Sequence, residues 1–271
     1  MGMNQIKCEL IDKMGNDLSI VNSARVSFDK ESRFERIDFQ TEEECDEWFD
    51  NGGQGYYDWE YVASERWYGG YPVDVLSDKD KKLVKYLADH KHMTPFRHNQ
   101  IQIRCHAPIF LARQLGKHQA GLSWNEVSRR YVDSEPEFYI PDEWRSRPDG
   151  SIKQGSGGVV NTLNGWSGFC NQSQWDADIG KTYIDCLVEV KNLYQSMLDS
   201  NVAPELARMV LPQSMMTTWW WTGNLLAFAH VYKERISEGA QLEAQHFAKE
   251  LDAVIRPLFP VAWEALVGGV K

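Results

Sequence analysis

Gln100-Ile101-Gln102-Ile103-Arg104-Cys105-His106-Ala107-Pro108-Ile109-Phe110-Leu111-Ala112-Arg113-Gln114-Leu115-Gly116-Lys117 changes its period in the middle. Ile101, Ile103 and Cys105 alternate with Gln102 and Arg104, the two-residue repeat of a strand with one buried face. Pro108 then suits the first turn of a helix running from Ile109 to about Lys117. A strand passed straight into a helix implies a sheet that packs against helices, and the flanking sequence extends that reading.

Upstream, Ser77-Asp78-Lys79-Asp80 is a capping-box-like start, and Leu83, Val84 and Leu87 share one stripe of a helix that reaches about His90. Downstream, Tyr183, Leu187, Val190, Tyr194 and Met197 mark a long amphipathic helix ending near Asn201, and Pro204 opens another. The segment from Thr217 to Ile236, with Trp219, Trp220 and Trp221, is apolar almost all round and reads as a buried central helix. Phe247, Leu251, Val254 and Leu258 give the last helix one packed face. The expected class is α+β: a mixed sheet packed with long helices, a helical C-terminal half, and one domain over residues 1–271 carrying two insertions. The first insertion, about 29–76, is acidic and aromatic; the second, about 142–180, is rich in glycine and polar residues and reads as loop.

The composition is that of a globular chain: 271 residues, 42% hydrophobic and 25% charged, with eleven Trp suggesting aromatic surfaces that meet a planar ligand or a partner subunit. No apolar run approaches the roughly 18 residues of a membrane span, and Met1–Leu10 lacks a basic-then-apolar signal pattern, so a cytoplasmic protein without a membrane partner is expected. Cys8, Cys45, Cys105, Cys170 and Cys186 are odd in number and form no CxxC pair, which argues against a disulfide framework or a zinc knuckle. A net charge of −10 argues against nucleic acid as partner. Between Asn99 and Tyr131, however, Arg104, Arg113, Lys117, Arg129 and Arg130 face one acid, Glu126, a local island suited to a small anionic ligand.

Several short patterns fail. Gly180-Lys181-Thr182 lacks the first glycine of a phosphate loop, because Trp175 stands there. Asn171-Gln172-Ser173 matches a glycosylation acceptor without a secretion signal. His90, His92, His98, His106 and His118 cluster without HExxH spacing, so no metal is expected. Cys105 and His106 are adjacent on a strand and point to opposite faces, which rules out a hydrogen-bonded dyad.

Two segments carry residue types that core packing does not require. Gln114 and Lys117 share a helix face, and Ser128, Arg129 and Arg130 offer a hydroxyl, amides and guanidinium forks suited to a phosphate monoester. Further on, Arg208 precedes Met209-Val210-Leu211-Pro212, and Asn224, Phe228, Val231 and Arg235 fall on one stripe. The competing reading of Arg208 and Arg235 is structural pairing with Glu205 and Glu238.

Met14-Gly15-Asn16-Asp17-Leu18-Ser19, Ala24-Arg25-Val26-Ser27-Phe28 and His92-Met93-Thr94-Pro95-Phe96 resemble the front half of the flavin-dependent thymidylate synthases. Ala107-Pro108-Ile109-Phe110, Ala112-Arg113-Gln114, Asn125-Glu126-x-Ser128-x-Arg130-Tyr131, Glu137-Phe138-Tyr139-Ile140-Pro141, Ala207-Arg208-x-Val210-Leu211-Pro212 and Ala240-Gln241 continue the resemblance in the same order. It covers most of the chain outside the two insertions.

The resemblance implies a homotetramer with sites between subunits, FAD as cofactor, dUMP as substrate, and methylenetetrahydrofolate and NADPH as co-substrates. It implies that Gln114, Lys117, Glu126, Ser128, Arg129, Arg130, Arg208 and Arg235 line the dUMP site. Ser27, His92, Thr94, Lys117, His118, Gln119, Glu126, Asn224 and His230 would serve the flavin side. Lys117-His118-Gln119 stands where the family has Arg-His-Arg, one extra residue precedes Ser123, and Leu226 replaces a further Arg. Lysine keeps a charge but loses the bidentate fork, and glutamine loses both.

The implied reaction is one-carbon transfer to uracil C5, with Arg235 as the catalytic electrostatic group at the uracil carbonyls. A hydroxymethylase giving 5-hydroxymethyl-dUMP is the alternative within the same chemistry, and a non-catalytic flavin- or nucleotide-binding protein is the alternative outside it.

Overall fold

The structure, a computed structural model, describes residues 5–57, 70–132, 134–148, 155–166 and 175–268. The chain opens with β1 (Lys7–Met14) and α1 (Asp17–Arg25), and continues through β2 (Glu35–Phe39), α2 (Glu42–Asp50), β3 (Tyr56–Tyr57) and β4 (Tyr71–Val75). Next come α3 (Asp78–Asp89), β5 (Gln100–Pro108), α4 (Ile109–Leu115), β6 (Leu122–Glu126), β7 (Thr162–Trp166), β8 (Trp175–Asp178), α5 (Ile179–Asp199) and α6 (Pro204–Ala207). β9 (Met216–Asn224) leads into α7 (Leu225–Ile236), α8 (Leu242–Ile255) and α9 (Pro260–Val267).

The central sheet has the order β1-β5-β9-β6. The expected α+β class holds, although every described strand pairing is antiparallel rather than mixed. Ile101, Ile103, Cys105 and Ala107 of β5 lie fully buried on one face, opposite Gly223, Trp221, Trp219 and Thr217 of β9. Phe247 of α8 stacks on Trp219 and Phe228 of α7 meets Trp221 edge-on from the helical side, so the core sits between this face and the C-terminal helices. Alternation on β5 and a helix stripe on α8 therefore bury the same interior.

The expectation of one central helix over 217–236 is wrong. Its first part is β9, the inner strand between β5 and β6, and only its second part is α7. Its three threonines and three tryptophans are β-branched and aromatic, which suits a pleated surface better than a helix. They also alternate, with Thr217, Trp219 and Trp221 buried and Trp220 exposed. Gly223 lets β6 approach, since a Cβ there would sit 2.3 Å from the Leu122 side chain.

Helix starts follow local chemistry. The Ser77 hydroxyl accepts from the Asp80 amide and opens α3 where expected. Pro108 caps α4 in an extended conformation instead of entering its first turn, and the helix stops at Leu115, short of Lys117. Pro204 does begin α6, and α5 ends at Asp199 near the expected boundary. The helix bearing Phe247 and Leu251 ends at Ile255, and α9 follows it as the last helix. At the start of α9, the Asp17 carboxylate accepts from the amides of Val261 and Ala262 at 2.9 and 3.0 Å, tying the N-terminal segment to the C-terminal one.

Neither segment read as an insertion is plain loop. Residues of the first form the β2-β4-β3 sheet with α2, around a small apolar cluster of Cys45, Val73 and Val75. In the second, β7 pairs with β8, and Arg145 bridges Val159. Glycine-rich composition hid a short antiparallel ladder.

Candidate active site

Two clefts flank the end of α4. The larger, about 950 Å³, is lined by Gln114 on α4, Glu234 and Arg235 at the end of α7, Tyr139, Tyr183, Glu243 and the segment from Glu143 to Pro148. The smaller, about 580 Å³, is lined by Arg113, Lys117, His118, Gln119, Trp124, Glu126 and Trp221. Both lie beside one short helix because Leu111, Ala112 and Leu115 anchor it in the core and leave its polar residues at the rim.

One contact joins the clefts. The Nε and Nη2 of Arg235 donate to His118 Nε2 at 3.1 and 2.8 Å. An acceptor Nε2 places the imidazole proton on Nδ1, in the neutral ring. Burial, and next the Arg235 guanidinium, hold the His118 pKa below the usual histidine value. Arg235 thus forms no ion pair with Glu238, and the Gln114 side-chain carbonyl beside it is buried without a partner.

Glu126 ends β6 on the face it shares with Trp124. Its carboxylate accepts from the Thr217 hydroxyl at 2.8 Å and the Trp124 indole at 3.3 Å, which fixes it at the sheet edge. Trp124 stacks on Trp219, ring centroids 4.3 Å apart, so the wall of the smaller cleft is a rigid aromatic layer. Gly121, at φ +75°, makes the turn into β6; a Cβ there would lie 2.6 Å from the Asn224 amide nitrogen.

Other residues singled out in the sequence do not line either cleft within one chain. Arg130 folds over the Tyr131 ring at 4.9 Å and shares the Ser128 hydroxyl, on an exposed loop after β6. Arg129 donates to the Ser134 carbonyl and lines a third, smaller cavity with His106 and Glu137. Arg208 is exposed and donates to the Glu205 backbone carbonyl, not to its carboxylate. Ser27, His92, Thr94 and His230 are exposed, and Asn224 caps α7 by accepting from the Ala227 amide. Among the described residues no group of three or more His, Cys, Asp or Glu could hold a metal ion.

The sequence reading missed one part of the larger cleft. Arg145 reaches from the second inserted segment to Glu243 at 2.6 Å, and the Tyr139 hydroxyl donates to the same carboxylate oxygen at 3.2 Å. Burial opposes the charge on Glu243, but hydrogen bonds led by Arg145 outweigh it and hold that carboxyl below its usual value. Tyr139 stood in a quoted motif without a role, and nothing around Arg145 announced a long-range partner.

A family profile described as "Thymidylate synthase complementing protein" matches residues 9–261. The chain is similar to the flavin-dependent thymidylate synthase of Kosmotoga olearia, 33% identical over 70% of this chain and 77% of that protein. It is similar to the Thermotoga neapolitana enzyme of the same name, 30% identical over 96% and 89%. Among solved structures, a UMP/dUMP methylase PolB from Streptomyces cacaoi bound with 5-Br dUMP shares the fold. The TM-score is 0.65 at 24% identity, covering 98% of this chain and 96% of the other. Among the described residues no helix is long and apolar enough to cross a membrane.

Proposed function

This chain belongs to the thymidylate synthase complementing protein family, the flavin-dependent thymidylate synthases, and on that premise we propose that it methylates C5 of dUMP to give dTMP. The observation that carries the reading is the contiguity of two clefts, one offering Gln114 and Arg235 and the other cations beside an aromatic wall. A uridylate in the larger cleft would present its carbonyl oxygens to Arg235 and its ring amide to Gln114, whose carbonyl has no other partner.

The smaller cleft fits a flavin. Trp124, backed by the buried Trp221, offers planar apolar surface, and Arg113 and Lys117 offer charge to a diphosphate. Lys117, His118, Gln119 and Glu126 would hold FAD there, and when bound it supplies hydride, recharged by NADPH. The remaining family positions complete the site only across subunits. Ser128, Arg129, Arg130 and Arg208 would come to the uridylate, and Ser27, His92, Thr94, Asn224 and His230 to the flavin, from neighbouring copies in a homotetramer. Exposed apolar side chains support that assembly: Ile184 and Val188 one turn apart on α5, and Met209 beside Arg208.

Chemically, C5 of uracil attacks the methylene carbon of methylenetetrahydrofolate and its own proton leaves. Departure of tetrahydrofolate with loss of that proton would leave an exocyclic methylene on the ring, and the hydride that reduced FAD supplies when bound would convert it to methyl. Arg235 acts at the first step by stabilising negative charge on the carbonyl oxygens as C5 becomes nucleophilic. The thymidylate synthases to which the chain is similar favour methyl rather than hydroxymethyl as the product. Arg235→Ala should lower kcat by about two to three decades while leaving the dUMP dissociation constant within a few-fold. Turnover at the parent rate would refute the role.

A further inference from the structure

We propose that His118 is the positioning residue for Arg235: its unprotonated Nε2 holds the Nε–Nη2 edge of the guanidinium, and its protonation releases that edge. The inference rests on the uridylate reading and deepens it by naming what orients the electrostatic group.

A guanidinium has five N–H donors in a fixed plane. Two of its nitrogens converge on His118 Nε2 at 3.1 and 2.8 Å, which leaves Nη1 and the outer Nη2 hydrogen for a ligand. Arg235 lines the larger cleft and His118 the smaller, so the imidazole fixes from the flavin side which edge the nucleotide meets. A carboxylate in the same place would neutralise the arginine and weaken its pull on developing negative charge. A neutral imidazole orients it and leaves the charge intact.

The surroundings favour the neutral ring. Arg235 and His230 on α7 oppose a charge on His118 and Glu234 favours it. Arg113 and Lys117 on its own segment and Glu126 on β6 share its cleft. Protonating Nε2 removes the acceptor and sets two cations against each other, so the guanidinium must turn away.

The test combines tautomer and rate. In the flavin-loaded enzyme, nitrogen NMR of histidine-labelled protein should show His118 with Nδ1 protonated at pH 8, titrating below the usual histidine value. The kcat at saturating dUMP should fall about tenfold with the same pKa. His118→Leu should lower kcat about tenfold or more at pH 8, with the dUMP dissociation constant within threefold. His118→Gln, which can still offer an oxygen acceptor, should recover most of that loss and remove the acid limb. Flavin content is measured for each variant and kcat expressed per bound flavin. A protonated Nε2 at pH 8, a His118→Leu enzyme with parental kcat, or an acid limb that persists unchanged in His118→Gln would each overturn the proposal. Parental turnover in Arg235→Ala would instead overturn the uridylate reading, and the tautomer measurement tells the two failures apart.

Discussion

Arg235 and Asp17 show what single positions contribute, one in the cleft and one far from it. Arg235 was legible in the sequence because a guanidinium on a largely apolar stripe demands a partner. The sequence offered Glu238 for that role, whereas the structure supplies His118, which lies far away in sequence. Asp17 is fully buried and answers two amides of α9. Burial raises its pKa to about 6, although those amides, the Tyr56 hydroxyl and Lys13 all work the other way. A carboxyl raised above its unfolded value binds its proton more tightly when folded. Its contribution to stability is therefore fully present below about pH 3.9 and is lost as pH rises through the folded value. The span corresponds to about 3 kcal/mol. Asp17→Asn cannot ionise, so denaturant unfolding between pH 4 and 7 should show the parent losing stability relative to the variant. Parallel curves would contradict this.

At the scale of elements, α3, β5 and α5 were readable because each carries an unbroken period and a local start signal. β9 was not. Its five-residue run Thr217–Trp221 is bulky on every position, and a fully apolar run suits a buried helix and a buried strand alike. Its β-branched and aromatic content was the usable sign, and its placement between β5 and β6 is a long-range fact. The strand interpretation predicts a face effect. Trp221→Ala removes a fully buried ring packed edge-on or tilted among Trp124, Phe228 and Phe247, and should cost about 3–5 kcal/mol in urea unfolding. A loss under about 1 kcal/mol would mean that the inner sheet face is not packed as described. The β7–β8 pair and the β2-β4-β3 sheet escaped notice for a different reason: strands of two to five residues carry too few alternations to register.

The whole molecule distributes one chemistry over distant parts of the chain. The α+β class could be read from sequence, and Gln114, Glu126 and Arg235, which line the two clefts, were among the residues singled out there. The contact between His118 and Arg235 and the wall built by Tyr139, Arg145 and Glu243 could not, because each joins segments far apart in the chain. The exposed positions of Arg130 and Arg208 accord with a site that a single copy leaves incomplete. Incubating the purified protein with flavin, dUMP, methylenetetrahydrofolate and NADPH, then weighing the nucleotide, tests the account most directly. The predicted product is heavier than dUMP by one methylene unit, with no oxygen added and the C5 proton lost. A product carrying an extra oxygen, or dUMP returned unchanged, would contradict it.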